Sequence, residues 1–232
     1  MGRQISQKEL FYDRLGVRFA AALSDYDTRR RVEVLVGSFL SPHSVSGKRV
    51  LDVGCGLGFF SEALLRLGAS VLATDLAPSL VESVQQRLQC DAVVADALEL
   101  EPQFGKEAFE IVISSECIEH TPDPDGAIRQ MCRVLRPGGY LALSTPNKVW
   151  YPVVAAASRL GLRPFDGIEN FSTFGSIRRT MQEEGLTVLS EYGLHLFPFQ
   201  LGMDRLSTVC DANLQALRSL MINLCVLGRK NR

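Results

Sequence analysis

Apolar side chains recur at helical spacing through the first forty residues. Leu10, Phe11, Leu15, Phe19 and Leu23 predict a helix over Glu9–Leu23. Ser24 and Asp25 offer cap chemistry ahead of a second amphipathic segment, Tyr26–Leu40, which Pro42 ends. Within it Arg29, Arg30 and Arg31 read as a solvated helix face, with an anion site as the alternative. From Lys48 the pattern changes. Short apolar runs predict strands at Arg49–Val53, Ser70–Thr74, Ala92–Ala95, Phe109–Ser115 and Tyr140–Ser144. Helices are predicted between them at Phe59–Leu67, Pro78–Leu88 and Pro124–Leu135. Gly68 closes the first, Pro78 opens the second, and Pro137-Gly138-Gly139 stops the third. Strands separated by helices predict an α/β fold with a parallel, doubly wound sheet, which binds ligands at the carboxyl ends of its strands. After Asn147 the rhythm breaks. Lys148–Asn170 reads as an apolar insertion, Phe174–Glu184 as a helix, and Leu186–Glu191 as a strand. Met203–Leu217 reads as a helix and Leu220–Leu227 as a last strand.

Composition narrows the class. The 232 residues are 46% hydrophobic and 22% charged, which is ordinary globular usage. Lys and Arg total 25 against 26 Asp and Glu, with no basic stripe, so no nucleic-acid partner is expected. The six cysteines form no C-x-x-C pair, which argues against structural zinc and suits a reducing cytosol. MGRQISQKEL contains no apolar core of a signal peptide, and the apolar stretch Val149–Ala157 is too short to span a bilayer. A cytoplasmic location is expected.

The chemistry concentrates in Val50-Leu51-Asp52-Val53-Gly54-Cys55-Gly56-Leu57-Gly58, a strand running into a glycine-rich turn and then a helix. Glycines let backbone approach a ligand without a Cβ clash. Asp75 ends the next strand, twenty-one residues past Gly54, where a ribose-binding carboxylate belongs. Position 59, which a dinucleotide fingerprint fills with a third glycine, holds Phe59. Asp52 adds negative charge where a pyrophosphate would sit. It better suits a ligand bearing an amino group and a sulfonium.

These residues resemble the class I S-adenosylmethionine-dependent methyltransferases. The resemblance continues through Asp75, Asp96-Ala97, Phe109–Ser115 and Leu135-Arg136-Pro137-Gly138-Gly139. It implies a Rossmann-like, mostly parallel seven-stranded sheet with helices on both faces, an antiparallel last strand and N-terminal cap helices. The implied organisation is one domain: residues 1–44 as cap, 45–146 as cofactor-binding core, and 147–232 as substrate-side insertion and last strands. The resemblance implies that Gly54, Cys55 and Gly56 approach the amino-acid end and sugar of S-adenosylmethionine. Asp52 would lie near its amino group, Asp75 at the ribose hydroxyls and Leu76 beside the adenine. Asp96 and Ala97 would meet the adenine amino group, and Ser115 the methionine portion. For Asp96 a helix cap or turn is the alternative.

Ser115-Glu116-Cys117-Ile118-Glu119-His120-Thr121-Pro122-Asp123-Pro124 is similar to the corresponding loop of the ubiquinone-biosynthesis O-methyltransferases. Ser144-Thr145-Pro146-Asn147 and Gly193-Leu194-His195 share that likeness. It implies that Glu116, Glu119 and His120 could hold Mg²⁺ or Zn²⁺, the alternative being a loop packed by hydrogen bonds. For an oxygen acceptor His120 and His195, both placed after strands, are the candidate general bases. His43, before the first strand, is expected to be structural. Tyr12, Trp150, Tyr151 and Phe197 are candidates to line the acceptor pocket, and the insertion could also touch a membrane. The implied function is methyl transfer to a small molecule, most readily to a hydroxyl of a phenolic natural product or quinone precursor. The alternatives are transfer to nitrogen or carbon, and a non-catalytic cofactor-binding subunit.

Overall fold

The computed structural model describes residues 25–160, 168–198 and 202–232. The helix expected over Glu9–Leu23, with Tyr12, lies outside them.

Helix α1 (Asp25–Val32) continues without a break into wider π-type turns over Glu33–Leu40, and a 3-10 turn, Ser41–His43, carries Pro42. There follow β1 (Arg49–Val53), α2 (Phe59–Arg66), β2 (Ser70–Asp75), α3 (Pro78–Leu88), β3 (Asp91–Val94), α4 (Leu100–Phe104) and β4 (Phe109–Ser115). Then come α5 (Pro124–Val134), β5 (Leu135–Pro146), α6 (Tyr151–Arg159), α7 (Phe174–Glu183), β6 (Leu186–Leu194), α8 (Asp204–Asn213) and β7 (Asn223–Lys230).

All seven strands join one sheet in the order β3-β2-β1-β4-β5-β7-β6. Strands β1 to β5 pair in parallel. Strand β7 runs antiparallel to both β5 and β6. Strand β6 therefore points the same way as β5, and its carboxyl end lies on the same edge as those of β1 to β5. Strand order reverses between β1 and β4, and the crevice outside such a reversal is where open α/β sheets bind ligands.

Helices cover both faces, so the central strands are apolar on both sides. In β4, Val112 packs with Ile128, Met131 and Ile177, while Ile111 and Ile113 pack with Leu35, Leu64 and Val71. Asp123 starts α5 by accepting the Gly126 N–H at 2.9 Å, and Thr173 and Ser176 form a reciprocal cap on α7.

Several boundaries differ from the sequence reading. Strand β5 begins at Leu135, because Pro137-Gly138-Gly139 continues the strand across a register irregularity opposite Phe109 and Ile111. Helix α4 was not expected. The helix predicted over Met203–Leu217 is α8 followed by a 3-10 segment, Gln215–Leu220. His43 stacks on Tyr140 with ring centroids 4.1 Å apart, a packing role. Among the described residues no helix is long and apolar enough to cross a membrane.

Candidate active site

The turn after β1 is built by backbone. The N–H groups of Gly54 and Cys55 both donate to the Thr74 carbonyl at 2.8 Å, tying the turn to β2. Gly54 has φ +72, and a Cβ there would lie 2.5 Å from Cys117 Sγ. Gly54 is thus glycine because the loop after β4 packs on it. Gly56, at φ +51, is different: a Cβ there would meet nothing within 4 Å. Beside it, Asp75 accepts the Gly56 N–H on Oδ2 and the Ala77 N–H on Oδ1, both at 2.9 Å. Burial pushes the Asp75 carboxyl above its ordinary range, and these N–H groups oppose the shift. An open glycine next to an acceptor-rich carboxylate can receive a ligand that presents hydroxyls.

The other expected cofactor residues take various positions around this cradle. Asp52 is 1% exposed, and Ser61 Oγ of α2 donates to its Oδ2 at 2.6 Å. Burial pushes its carboxyl up to about 7. Leu76 is half-buried at the start of the turn into α3, and Cys55 is buried. Asp96 accepts the Leu98 N–H on Oδ1 at 3.1 Å, which is the turn role weighed as its alternative, and Ala97 beside it is buried.

The ends of β4 and β5 carry a buried polar network. Ser115 and Ser144 are paired across the two strands, with Oγ atoms 2.8 Å apart. Arg31 Nη1 of α1 donates to Ser115 Oγ at 2.8 Å, while its Nη2 donates to Asp27 Oδ2 at 2.7 Å. Asp27 Oδ1 lies 2.9 Å from His195 Nε2 at the end of β6. His195 is fully buried and has φ +63. Glu116 also has positive φ, +53, a conformation that costs a residue with a side chain about 1–3 kcal/mol and must be held by its surroundings. Those surroundings are the Ser144 carbonyl accepting its N–H, Ser144 Oγ at 3.2 Å from Oε1, and Asn223 Nδ2 at 2.9 Å from Oε2. Burial raises the Glu116 carboxyl to about 8 and that of Glu119 to about 7.

This geometry corrects two expectations. Glu116, Glu119 and His120 do not converge as a ligand set, and no group of three His, Cys, Asp or Glu among the described residues does. Glu116 turns to Ser144 and Asn223, Glu119 accepts from Thr145 Oγ1 at 3.0 Å, and His120 Nδ1 lies 3.2 Å from the Ile168 carbonyl oxygen. The loop is held by hydrogen bonds. Nor is the arginine run uniformly solvated: Arg29 is exposed, but Arg31 is 4% exposed. Asp27 and Arg31 were missed as site residues. Their i,i+4 spacing was the available signal, but the partners that bury them lie on β4 and after β6.

On the substrate side, Trp150 Nε1 donates to the Leu220 carbonyl at 2.8 Å. Tyr151 is exposed and meets the Phe171 ring edge-on with centroids 5.8 Å apart, and Phe197 is also exposed. The structure thus gathers Gly56, Asp75, Ser115, Glu116, Glu119, His120 and His195 along one edge of the sheet.

A doubly wound sheet with an antiparallel β7 and this glycine–carboxylate cradle defines the class I methyltransferase fold. Residues 51–143 match the family model described as a methyltransferase domain, and the fold is that of the class I methyltransferases. It is similar to the ubiquinone biosynthesis O-methyltransferase of Xanthomonas oryzae pv. oryzae (strain PXO99A), 46% identical over 110 residues. The match covers 45% of each chain, so this chain spans less than half of that relative's length. The corresponding protein of Xanthomonas axonopodis pv. citri (strain 306) is 44% identical over 108 residues, 44% of this chain and 45% of that one. Among solved structures, an S-adenosylmethionine-dependent methyltransferase from Mesorhizobium loti superposes with a TM-score of 0.62 at 20% identity, covering 84% of this chain and 100% of that one. The magnesium protoporphyrin IX methyltransferase of Synechocystis PCC 6803, solved with bound S-adenosylhomocysteine, gives 0.61 at 18% identity over 99% and 90%. These two establish likeness of fold.

Proposed function

We propose that the chain transfers the methyl group of S-adenosylmethionine to a hydroxyl of a small phenolic acceptor or quinone precursor. The observation that carries this reading is the open backbone at Gly56 beside the Asp75 carboxylate. The residues fit the cofactor: a hydroxylated ribose needs acceptors and close backbone approach, and both are present. Gly54, Cys55, Gly56, Asp75, Leu76, Asp96, Ala97 and Ser115 would hold it, with Asp52 acting from beneath α2. When bound, the cofactor supplies an electrophilic sulfonium methyl whose bonding electrons return to sulfur on transfer. The protein's part is to align the acceptor oxygen and receive its proton. His120 and His195 are the proposed proton acceptors, and Trp150, Tyr151 and Phe197 the proposed acceptor-side surface. The loop and strand-end likeness to proteins named ubiquinone biosynthesis O-methyltransferase supports an oxygen acceptor. Near-zero net charge supports a small molecule over nucleic acid, and a cytoplasmic site of action suits both.

The test is incubation with methyl-labelled S-adenosylmethionine and a panel of catechols, phenols and amines. The reading expects labelled methyl ether and equimolar S-adenosylhomocysteine. Label recovered only on nitrogen or carbon would contradict the oxygen assignment. Tight cofactor binding without turnover on any acceptor would favour a binding subunit.

A further inference from the structure

We propose that Asn170 is a positioning residue that sets His120 as the proton acceptor of the reaction, an inference that rests on the methyl-transfer reading. Asn170 lies in the segment 168–172, between α6 and α7. Its backbone N–H donates to the Glu119 carbonyl and its Nδ2 to the Thr121 carbonyl, both at 2.8 Å. The two bonds fall on either side of His120. Just ahead in the chain, the Ile168 carbonyl oxygen lies 3.2 Å from His120 Nδ1. The segment is tied in turn to the residues that follow β5. The Lys148 N–H donates to the Ser172 carbonyl at 2.8 Å, and Asn147 and Ser172 form a parallel bridge.

This arrangement decides which imidazole nitrogen is basic. A carbonyl oxygen accepts and does not donate, so Nδ1 carries the proton and, in the neutral ring, Nε2 carries the lone pair. Accessibility favours this histidine for the role. His195 is fully buried, whereas the His120 side chain keeps 21% of its surface accessible. The ring also lies near the cradle: burial raises the Asp75 carboxyl, and the charge of His120 is among the influences that oppose the rise. Glu119 Oε1 is 3.8 Å from His120 Nε2, and Thr145 Oγ1 holds the other carboxyl oxygen at 3.0 Å. Asn170 is itself exposed, so its substitution leaves the core intact.

The step balances. The acceptor O–H bond breaks and its proton goes to Nε2. The oxygen's electron pair forms the new O–CH₃ bond as the S–CH₃ bonding pair stays on sulfur. The resulting imidazolium donates from Nδ1 to the Ile168 carbonyl and presents its Nε2–H to the Glu119 side.

Two measurements on the full chain test the proposal. In the first, the chain is ¹⁵N-labelled at histidine and read by long-range ¹H–¹⁵N correlation, about two pH units above the ordinary histidine value. The His120 signals are those lost in His120→Gln. They should show a protonated Nδ1 and a bare Nε2, and Asn170→Ala should admit the opposite tautomer. The opposite tautomer in the wild type, a ring still doubly protonated, or a tautomer that Asn170→Ala leaves unchanged overturns the proposal whatever the activity. In the second, methyl transfer to catechol is compared between variants. Asn170→Ala should lower kcat by at least about tenfold, with KM and S-adenosylhomocysteine affinity held within about threefold, and Asn170→Gln should recover part of the loss. Because Asn170 acts through His120, adding Asn170→Ala to His120→Gln should cost less than about twofold more. An unchanged kcat in Asn170→Ala, or fully additive losses in the double variant, overturns the proposal. A wild-type chain that binds S-adenosylhomocysteine yet methylates nothing defeats the methyl-transfer reading instead, and the tautomer still decides whether Asn170 orders His120.

Discussion

Two glycines of the same turn do different work. A methyl group at Gly54 would collide with Cys117 Sγ at 2.5 Å, whereas one at Gly56 would enter open space. Gly54→Ala combines left-handed strain with overpacking and should cost about 3 kcal/mol, read as a lower midpoint in urea. Gly56→Ala carries only the backbone strain, about 1–2 kcal/mol, but its Cβ fills the cradle, so S-adenosylhomocysteine affinity should fall more than stability does. Equal stability losses in the two variants would contradict this division. Asp52 gives a pH-dependent expectation. Its buried carboxyl, raised to about 7, holds a proton more tightly in the folded chain than in the unfolded one. The stabilisation from that proton is complete below the ordinary aspartate range, near 4, and is lost as pH rises through about 7. Melting temperature should therefore fall between about pH 4 and pH 7 and level off above, and Asp52→Asn should flatten that slope; a slope unchanged by the substitution would contradict the assignment. The glycine spacing and Asp75 were legible in the sequence because backbone chemistry dictates them locally. The meaning of Asp52 and Glu116 was not, since it depends on Ser61, Ser144 and Asn223, which only the folded chain brings within reach.

Helix α1 shows what a residue pattern conceals. Three consecutive arginines fall on different sides of a helix, and here only Arg31 is driven fully into the interior, against Asp27 and Ser115. Removing one partner of a buried pair leaves the other uncompensated. Arg31→Ala should cost about 3–5 kcal/mol, whereas Arg29→Ala, at an exposed position, should stay within about 0.5 kcal/mol. Chemical denaturation of the two variants checks this, and near-equal midpoints would refute the buried role. Strands β1 and β4 were legible to the residue because both of their faces are apolar and sharply bounded. Strand β6 runs three residues beyond its expected end, at the sheet edge, with Leu189 exposed and a register irregularity between Val188 and Ser190. Its apolar rhythm is correspondingly weak. The extension carries His195 to the same edge of the sheet as the ends of β1 to β5.

At the scale of the molecule, one sheet joins residues 49–146 to the rest. Strand β7 lies between β5 and β6, so residues after 147 complete the sheet that residues 49–146 begin. The parallel half of this order was readable from alternating strands and helices. The reversal at β7 came only with the family resemblance, because a short apolar run carries no direction. The consequence is a single edge on which the turn after β1, the ends of β2, β4 and β5, and the end of β6 all meet, with α1 laid across it through Arg31 and Asp27. That edge is proposed as the place where cofactor and acceptor meet. Titration calorimetry of S-adenosylhomocysteine into the wild-type chain and into Gly56→Val tests this most directly. The account predicts saturable one-to-one binding to the wild type, abolished in the variant while the fold persists by circular dichroism. Absence of binding to the wild type, or undiminished binding to the variant, would contradict it.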